Sequence, residues 1–141
     1  MEEQGRFKSS VILNNRTFAL ESCNMRPLIH PAVEDVPVEA ILHALSDPVR
    51  VAIYADIVKG CNENCSTFLT VGNREIPKST LSQHFKILRE AGLIRSERKG
   101  VEMFNTSRCE EVDRHYPGLI STIVKAHEIQ ARKENRAQRK R

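Results

Sequence analysis

Between Lys78 and Arg89 the chain sets short polar groups among cations at spacings that return to one side of a helix: Lys78, Ser79, Ser82, Gln83, Lys86 and Arg89. Ser79, Ser82 and Gln83, with Thr80 beside them, are small enough to exchange hydrogen bonds with base edges, and lysine and arginine suit phosphates. A second pattern is Cys61-x3-Cys65, two thiols that would share a face of a continuous helix and ligate a soft metal or As(III). A third is Asp113-Arg-His115, a carboxylate and an imidazole two residues apart. The sequence contains no glycine-rich phosphate loop, no His-Glu-x-x-His and no nucleophile elbow, so no enzyme is expected.

These groups need a scaffold, and the pattern around them predicts one. Leu81, Phe85 and Leu88 fall at i, i+4 and i+7, an apolar stripe that can pack on a core behind the polar face. His84 points between the two faces and is expected to pack, satisfied by a backbone group. Gly92 stands where a left-handed cap ends a helix. Leu93–Glu97 and Val101–Asn105 read as two short strands joined at Arg98-Lys99-Gly100, with Arg95, Arg98 and Lys99 as candidates for phosphate or minor-groove contact.

Upstream, Pro37 suits the first turn of a helix running to about Ser46 with Ile41, Leu42 and Leu45 inward. Asp47 and Pro48 then restart a helix as N-cap and first residue, with Val49, Ala52, Ile53 and Ile57 buried and Gly60 at its end. The segment from Cys65 to Val71 is expected to form a short helix, followed by an enlarged turn from Gly72-Asn73. Residues 1–30 lack periodicity, although Val11–Leu13 and Phe18–Leu20 could pair as strands around Asn14-Asn15. Downstream, Glu110–His115 makes a helical turn and Pro117 opens a last helix to about Ala131, striped by Leu119, Ile120, Ile123, Val124 and His127. So small a domain leaves little core for that stripe, so a second copy of the chain is expected to cover it. The expected fold is mainly α with a small β-hairpin, a winged helix-turn-helix that is dimeric through its terminal helices, and its expected ligand is double-stranded DNA.

Ser79-Thr-Leu-Ser-Gln-His-Phe-Lys-Ile-Leu-Arg-Glu-Ala-Gly-Leu-Ile94, with Ala44-Leu-Ser-Asp-Pro-Val-Arg-Val-Ala-Ile53 upstream, resembles the ArsR-type bacterial repressors over about residues 37–131. The resemblance implies a sequence-specific repressor that binds a palindromic operator as a homodimer, with Lys78, Ser79, Ser82 and Gln83 in the major groove and effector binding shifting the dimer off DNA. It also implies that Met25-Arg-Pro is a natural start and residues 1–24 an extension. The chain departs from the family between Cys61 and Ile76, where a longer amphipathic helix is usual. Relatives that sense metals through thiolates here favour a thiol-based metalloid or redox sensor at Cys61 and Cys65. Against it, Gly60 and Asn62 disfavour a regular helix, two thiols are too few for a closed site, and Cys23 and Cys109 are remote in sequence. Zinc-sensing relatives follow the Asp-x-His with ligands where this chain has Ala126 and Ile129. His127 and Gln130 are each one residue out of phase, about a hundred degrees around the helix. No metal or cofactor is therefore expected, and Asp113 and His115 read as surface or capping groups. A winged-helix module for binding protein is the remaining alternative, and it would need an apolar exposed face.

A chain of 141 residues supports one domain, read as residues 31–131, with an N-terminal extension over 1–30 and a basic tail over 132–141. The net charge of +4 is unevenly spread. Residues 78–100 carry six Lys/Arg against two Asp/Glu and residues 132–141 carry six against one, whereas residues 1–77 carry seven against ten. Concentrated positive charge marks a phosphate-binding element more sharply than overall pI does. The tail is expected to be a solvated, disordered end. Without a membrane-length apolar run or an export signal the protein is expected to be cytoplasmic, with its four cysteines as thiols.

Overall fold

The structure, a computed structural model, describes residues 28–60, 70–71 and 74–141. The proposed strand pair at Val11–Leu13 and Phe18–Leu20, and both Cys61 and Cys65, lie outside the described residues. In chain order the elements are a single 3-10 turn (Val33–Asp35), α1 (Val38–Ala44), α2 (Pro48–Val58), β1 (Thr70–Val71), β2 (Arg74–Glu75), α3 (Lys78–Glu90), β3 (Ile94–Lys99), β4 (Glu102–Ser107), α4 (Cys109–His115) and α5 (Leu119–Arg139). This is a winged helix: a mostly helical body with a two-stranded antiparallel hairpin directly after α3. Among the described residues no helix is long and apolar enough to cross a membrane.

The α1–α2 corner is set by polar groups. Pro37 is the N-cap of α1, one position before the helix rather than inside it. Asp47 caps α2 as expected, accepting the Val49 and Arg50 N–H groups at 2.8 and 3.0 Å. Partial burial opposes ionisation of its carboxyl, but those two donors and the Arg50 guanidinium outweigh it and hold Asp47 below the usual carboxylate range. Arg50 turns inward and donates from Nε to the Ala44 carbonyl at 2.6 Å and from Nη2 to the His43 carbonyl at 3.1 Å. It thereby satisfies the orphan acceptors at the end of α1.

α2 is the central helix, and its burial is wider than the expected stripe. Val51, Ile53, Tyr54, Ala55 and Ile57 are all buried, while Val49 and Ala52 are half-buried. The difference arises because α2 packs on α3, β4 and α5 at once. On α1, Ile41 and Leu45 point inward as expected but Leu42 is exposed. Tyr54 is fully buried, and burial pushes its hydroxyl up to about 12.

Two further expectations are overturned. Thr70 and Val71 form a strand rather than the end of a helix, pairing with Glu75 and Arg74 respectively. Both residues are β-branched, which favours extended backbone, and the Gly-Asn sequence separating the strands is hairpin-like. α5 does not stop at Ala131 but continues to Arg139, so most of the basic tail is helical. Its residues from Leu119 to Ala137 include Ala, Glu, Gln, Lys and Arg in abundance and no helix breaker.

The segment from His30 to Val36 straps the wing to α4. The Ser96 N–H donates to His30 Nε2 at 2.9 Å, Arg108 Nη1 donates to the Pro31 carbonyl at 2.8 Å, and the Tyr116 hydroxyl donates to the Val36 carbonyl at 2.9 Å. His115 Nε2 also lies 3.3 Å from the Glu34 carboxylate. His30 can accept at Nε2 in its neutral form alone. Burial, then the charges of Arg89, Arg95 and Arg108, push its pKa below the ordinary value, with Glu97 opposing. A lowered folded pKa makes this bond's contribution fully present above about 6.5 and lost as pH falls through the folded value. His30→Gln keeps an acceptor that does not titrate. The melting temperature of the wild type should therefore fall more than that of His30→Gln between about pH 7.5 and about pH 5. Equal falls would show that the strap bond contributes nothing.

Candidate nucleic-acid interface

α3 separates its faces cleanly. Leu81, Phe85 and Leu88 are buried in the core cluster, and Lys78, Ser79, Thr80, Ser82, Gln83 and Lys86 are exposed. At a hundred degrees per residue, Ser79, Ser82, Gln83 and Lys86 centre the outward face. Lys78 flanks it on one side and Thr80 lies off it on the other, towards His84. Lys86 forms an exposed pair with Glu90 at 3.9 Å. Such pairs are worth about 0–1 kcal/mol, so a phosphate can displace the carboxylate.

Two neighbours of this face depart from expectation. Arg89 is half-buried rather than presented, and its Nε has no hydrogen-bond partner. His84 does pack between the faces, but its buried Nδ1 also has no partner, in place of the expected backbone bond.

The helix ends in a six-residue closure. The Gly92 N–H donates to the Arg89 carbonyl and the Leu93 N–H to the Leu88 carbonyl, both at 3.0 Å. Gly92 has φ +70°, and a Cβ there would stand 3.1 Å from Val36 Cγ2. This is a Schellman cap, with Leu88 and Leu93 both fully buried across it.

The wing follows at once. β3 and β4 pair from Ile94↔Ser107 to Lys99↔Glu102, so the expected strands each run further along the chain. Val101, expected to begin the second strand, is fully exposed in the turn beside Gly100 at φ +66°. Between the strands Ser96 Oγ donates to Asn105 Oδ1 at 2.7 Å, both residues being buried. Of the wing cations, Lys99 sits over the Phe104 ring at 5.1 Å and Arg98 is exposed at the tip. Arg95 instead reaches back to Glu111 on α4 at 3.7 Å, which the sequence reading did not foresee. Glu111 also takes Arg108 at 2.7 Å, and that hydrogen bond holds its carboxyl below the usual range.

The remaining candidates sit apart from this surface. Both lie in the last turn of α4: Asp113 accepts the Gly118 N–H at 2.8 Å across the break that follows, and His115 faces Glu34. Arg50, Arg108 and Tyr116 are the positioning residues that sequence reasoning missed. An arginine inside an otherwise apolar run, as at Arg50, was the one available signal.

A helix-turn-helix domain family matches residues 45–97, from the end of α1 into β3. Across 85 residues the chain is 35% identical to the uncharacterised HTH-type transcriptional regulator YceK of Bacillus subtilis (strain 168), covering 59% of this chain and 82% of that protein. The chain belongs to the helix-turn-helix transcriptional regulators, and it is a DNA-binding regulator of transcription.

The Ser96–Asn105 bond predicts a specific pattern of coupling within the wing. Asn105→Val leaves the Ser96 hydroxyl buried without an acceptor and should cost about 1–3 kcal/mol in denaturant unfolding. Adding Ser96→Ala should recover part of that loss, because both polar partners are then gone. A double variant as unstable as the sum of the single variants would show that the bond is not the cause.

Proposed function

We propose that this protein is an ArsR-type repressor that binds a palindromic operator as a homodimer. Ser79, Ser82 and Gln83, with Thr80 on the flank, would meet base edges, and Lys78, Lys86, Arg95, Arg98 and Lys99 would hold phosphates. The observation that carries this reading is the exposure of short polar side chains on α3, backed by a fully buried stripe and followed by a cationic wing. A protein-binding winged helix would instead present apolar side chains there, whereas every exposed residue of α3 is polar or charged and Ile87, beside Gln83, packs partly on the core.

Gln83→Ala should weaken binding to the gene's own upstream duplex by about 1–3 kcal/mol and relax preference at one base pair. Lys99→Ala should weaken all duplexes alike and flatten the salt dependence. Equal wild-type affinity for the upstream duplex and a shuffled one would defeat the proposal.

The dimer seam needs a correction. Leu119, Ile120, Ile123 and Val124 were expected to be uncovered, but Ile120 is 3% exposed within one chain and the other three pack partly against the core. The reason is the all-round burial of α2, which gives the stripe an intramolecular partner. What remains for a second subunit is the neighbouring groove of about 490 Å³ between the α1–α2 corner and α5. Leu45, Val51, Ile123, Ala126 and Ala131 give it apolar walls. Ala126 is exposed at this groove, so Ala126→Arg leaves the monomer core intact while blocking a partner. Sedimentation equilibrium should show monomers for Ala126→Arg and dimers for the wild type; dimers in both place the seam elsewhere.

A further inference from the structure

We propose that the outward face of α5 is a second, sequence-independent surface for the phosphate backbone of DNA, separate from the face presented by α3. This rests on the protein being a DNA-binding regulator, and it assigns a role to charge that the α3–wing surface does not use.

The faces of α5 are defined by burial. Ile120 is buried, and Ile123, Val124, His127 and Ala131 are half-buried, all within about a hundred degrees of one another. On the opposite side Lys125, Ile129, Arg132, Arg136 and Arg139 follow at spacings of four, three, four and three, with Lys133 and Lys140 at the edge. The cations are all exposed. A solvated tail would scatter its charges around the helix, whereas here they form one stripe.

The nearby acids do not neutralise it. Glu128 turns to Lys59, just past the end of α2, at 3.1 Å, and Glu134 accepts from Gln130 Nε2 at 2.9 Å on the inward flank. Among the described residues no ion pair involves Arg132, Lys133, Arg136 or Arg139. Like charges at helical spacing weaken a helix, and the last two turns of α5 have no core contact to offset that. A polyanion laid along the stripe removes the repulsion.

The stripe's chemistry favours nucleic acid. From Lys125 to Lys140 it spans roughly 20 Å, and each DNA strand offers a phosphate per about 3.4 Å of axis. Three of its cations are arginines, whose planar forks suit phosphate oxygens. A helix that lies on a membrane needs an apolar face, and here that face is packed on α2, leaving Ile129 as the one large apolar residue exposed on α5.

The test uses the full chain and a variant carrying Arg132→Gln, Lys133→Gln, Arg136→Gln and Arg139→Gln. Glutamine is a strong helix former, so circular dichroism should be unchanged. Fluorescence anisotropy would follow binding to the upstream duplex and a shuffled duplex from about 50 to about 200 mM KCl. The variant should lose about tenfold or more in affinity on both duplexes, with the slope of log affinity against log salt shallower by about 2–4 and the preference between duplexes kept. Arg132→Lys, Arg136→Lys and Arg139→Lys together should keep the wild-type slope. Unchanged affinity and slope, with the wild type still preferring its upstream duplex, would overturn the ridge and leave the α3 reading standing. A loss confined to the upstream duplex would overturn it too, by making these cations part of sequence recognition. Unchanged DNA binding with lost binding to phosphatidylserine vesicles would replace it with a membrane contact. No wild-type affinity for either duplex would remove both proposals.

Discussion

The geometry of this protein depends on the turn at Ala91–Leu93, where a helix that must face outward is joined to a hairpin that must lie beside it. The two capping bonds use carbonyls that α3 would otherwise leave without partners, and they close within one residue of β3. Gly92 is required twice over. Its backbone is left-handed, which costs a residue with a side chain roughly 1–2 kcal/mol, and a Cβ would press on Val36 Cγ2 at 3.1 Å, closer than ordinary contact. With that turn fixed, burying Leu88 and Leu93 on the same core decides which side of α3 faces solvent and where the wing begins. The strap from His30 to Val36 then closes over the junction, so the helix, the wing and the chain leading into α1 form one unit. The Arg108 N–H donates to the Leu93 carbonyl at 2.9 Å, so the far end of the wing returns to the same turn.

Charge on the surface formed by α3 and the wing is graded by how firmly each group is held. The Ser79, Ser82 and Gln83 side chains are short and stand on a rigid helix, a setting suited to discrimination because little rotamer entropy is lost on contact. The cations are longer and partly committed: Lys86 to Glu90, Arg95 to Glu111, Lys99 to the Phe104 ring. All three contacts are exposed and weak, so they orient the cations without locking them. Glu111 is different, because the 6%-exposed Arg108 side chain holds it. Glu111 therefore stays in place whether or not Arg95 is paired with it, and Arg95 can leave without disturbing α4.

Much of the scaffold was legible in the sequence because it follows local rules. Asp47-Pro48 and Gly92 mark helix ends by capping chemistry that involves a few adjacent residues, and Leu81, Phe85 and Leu88 mark a face by period. The unread parts are those in which distant residues decide the outcome. Arg50 reads as an exposed cation until the end of α1 is placed beside it. Arg108 and Tyr116 find acceptors more than seventy residues away in sequence. Thr70 and Val71 sit in an apolar run too short for period to separate strand from helix, and their pairing partner settles it. For the candidate site, the outward face of α3 was legible, whereas the turning of Arg95 to Glu111 and the partial burial of Arg89 depend on residues brought beside them by the fold.

The last helix shows why an apolar stripe alone does not name its partner. Leu119, Ile120, Ile123 and Val124 have the period of a helix face that must be covered, and that inference holds. Whether the cover is the same chain or a second one depends on how much of α2 is free, which the α2 sequence obscured by being apolar nearly all round. A helix of that kind belongs in the middle of a domain, with neighbours on several sides. α5 is one of those neighbours, so its stripe is largely used up within the chain. The proposed dimer would then draw on what α5 and the α1–α2 corner leave over, a narrower surface than the whole stripe. The same packing turns the opposite side of α5 away from the core of the chain, and it is there that the helix carries its cations.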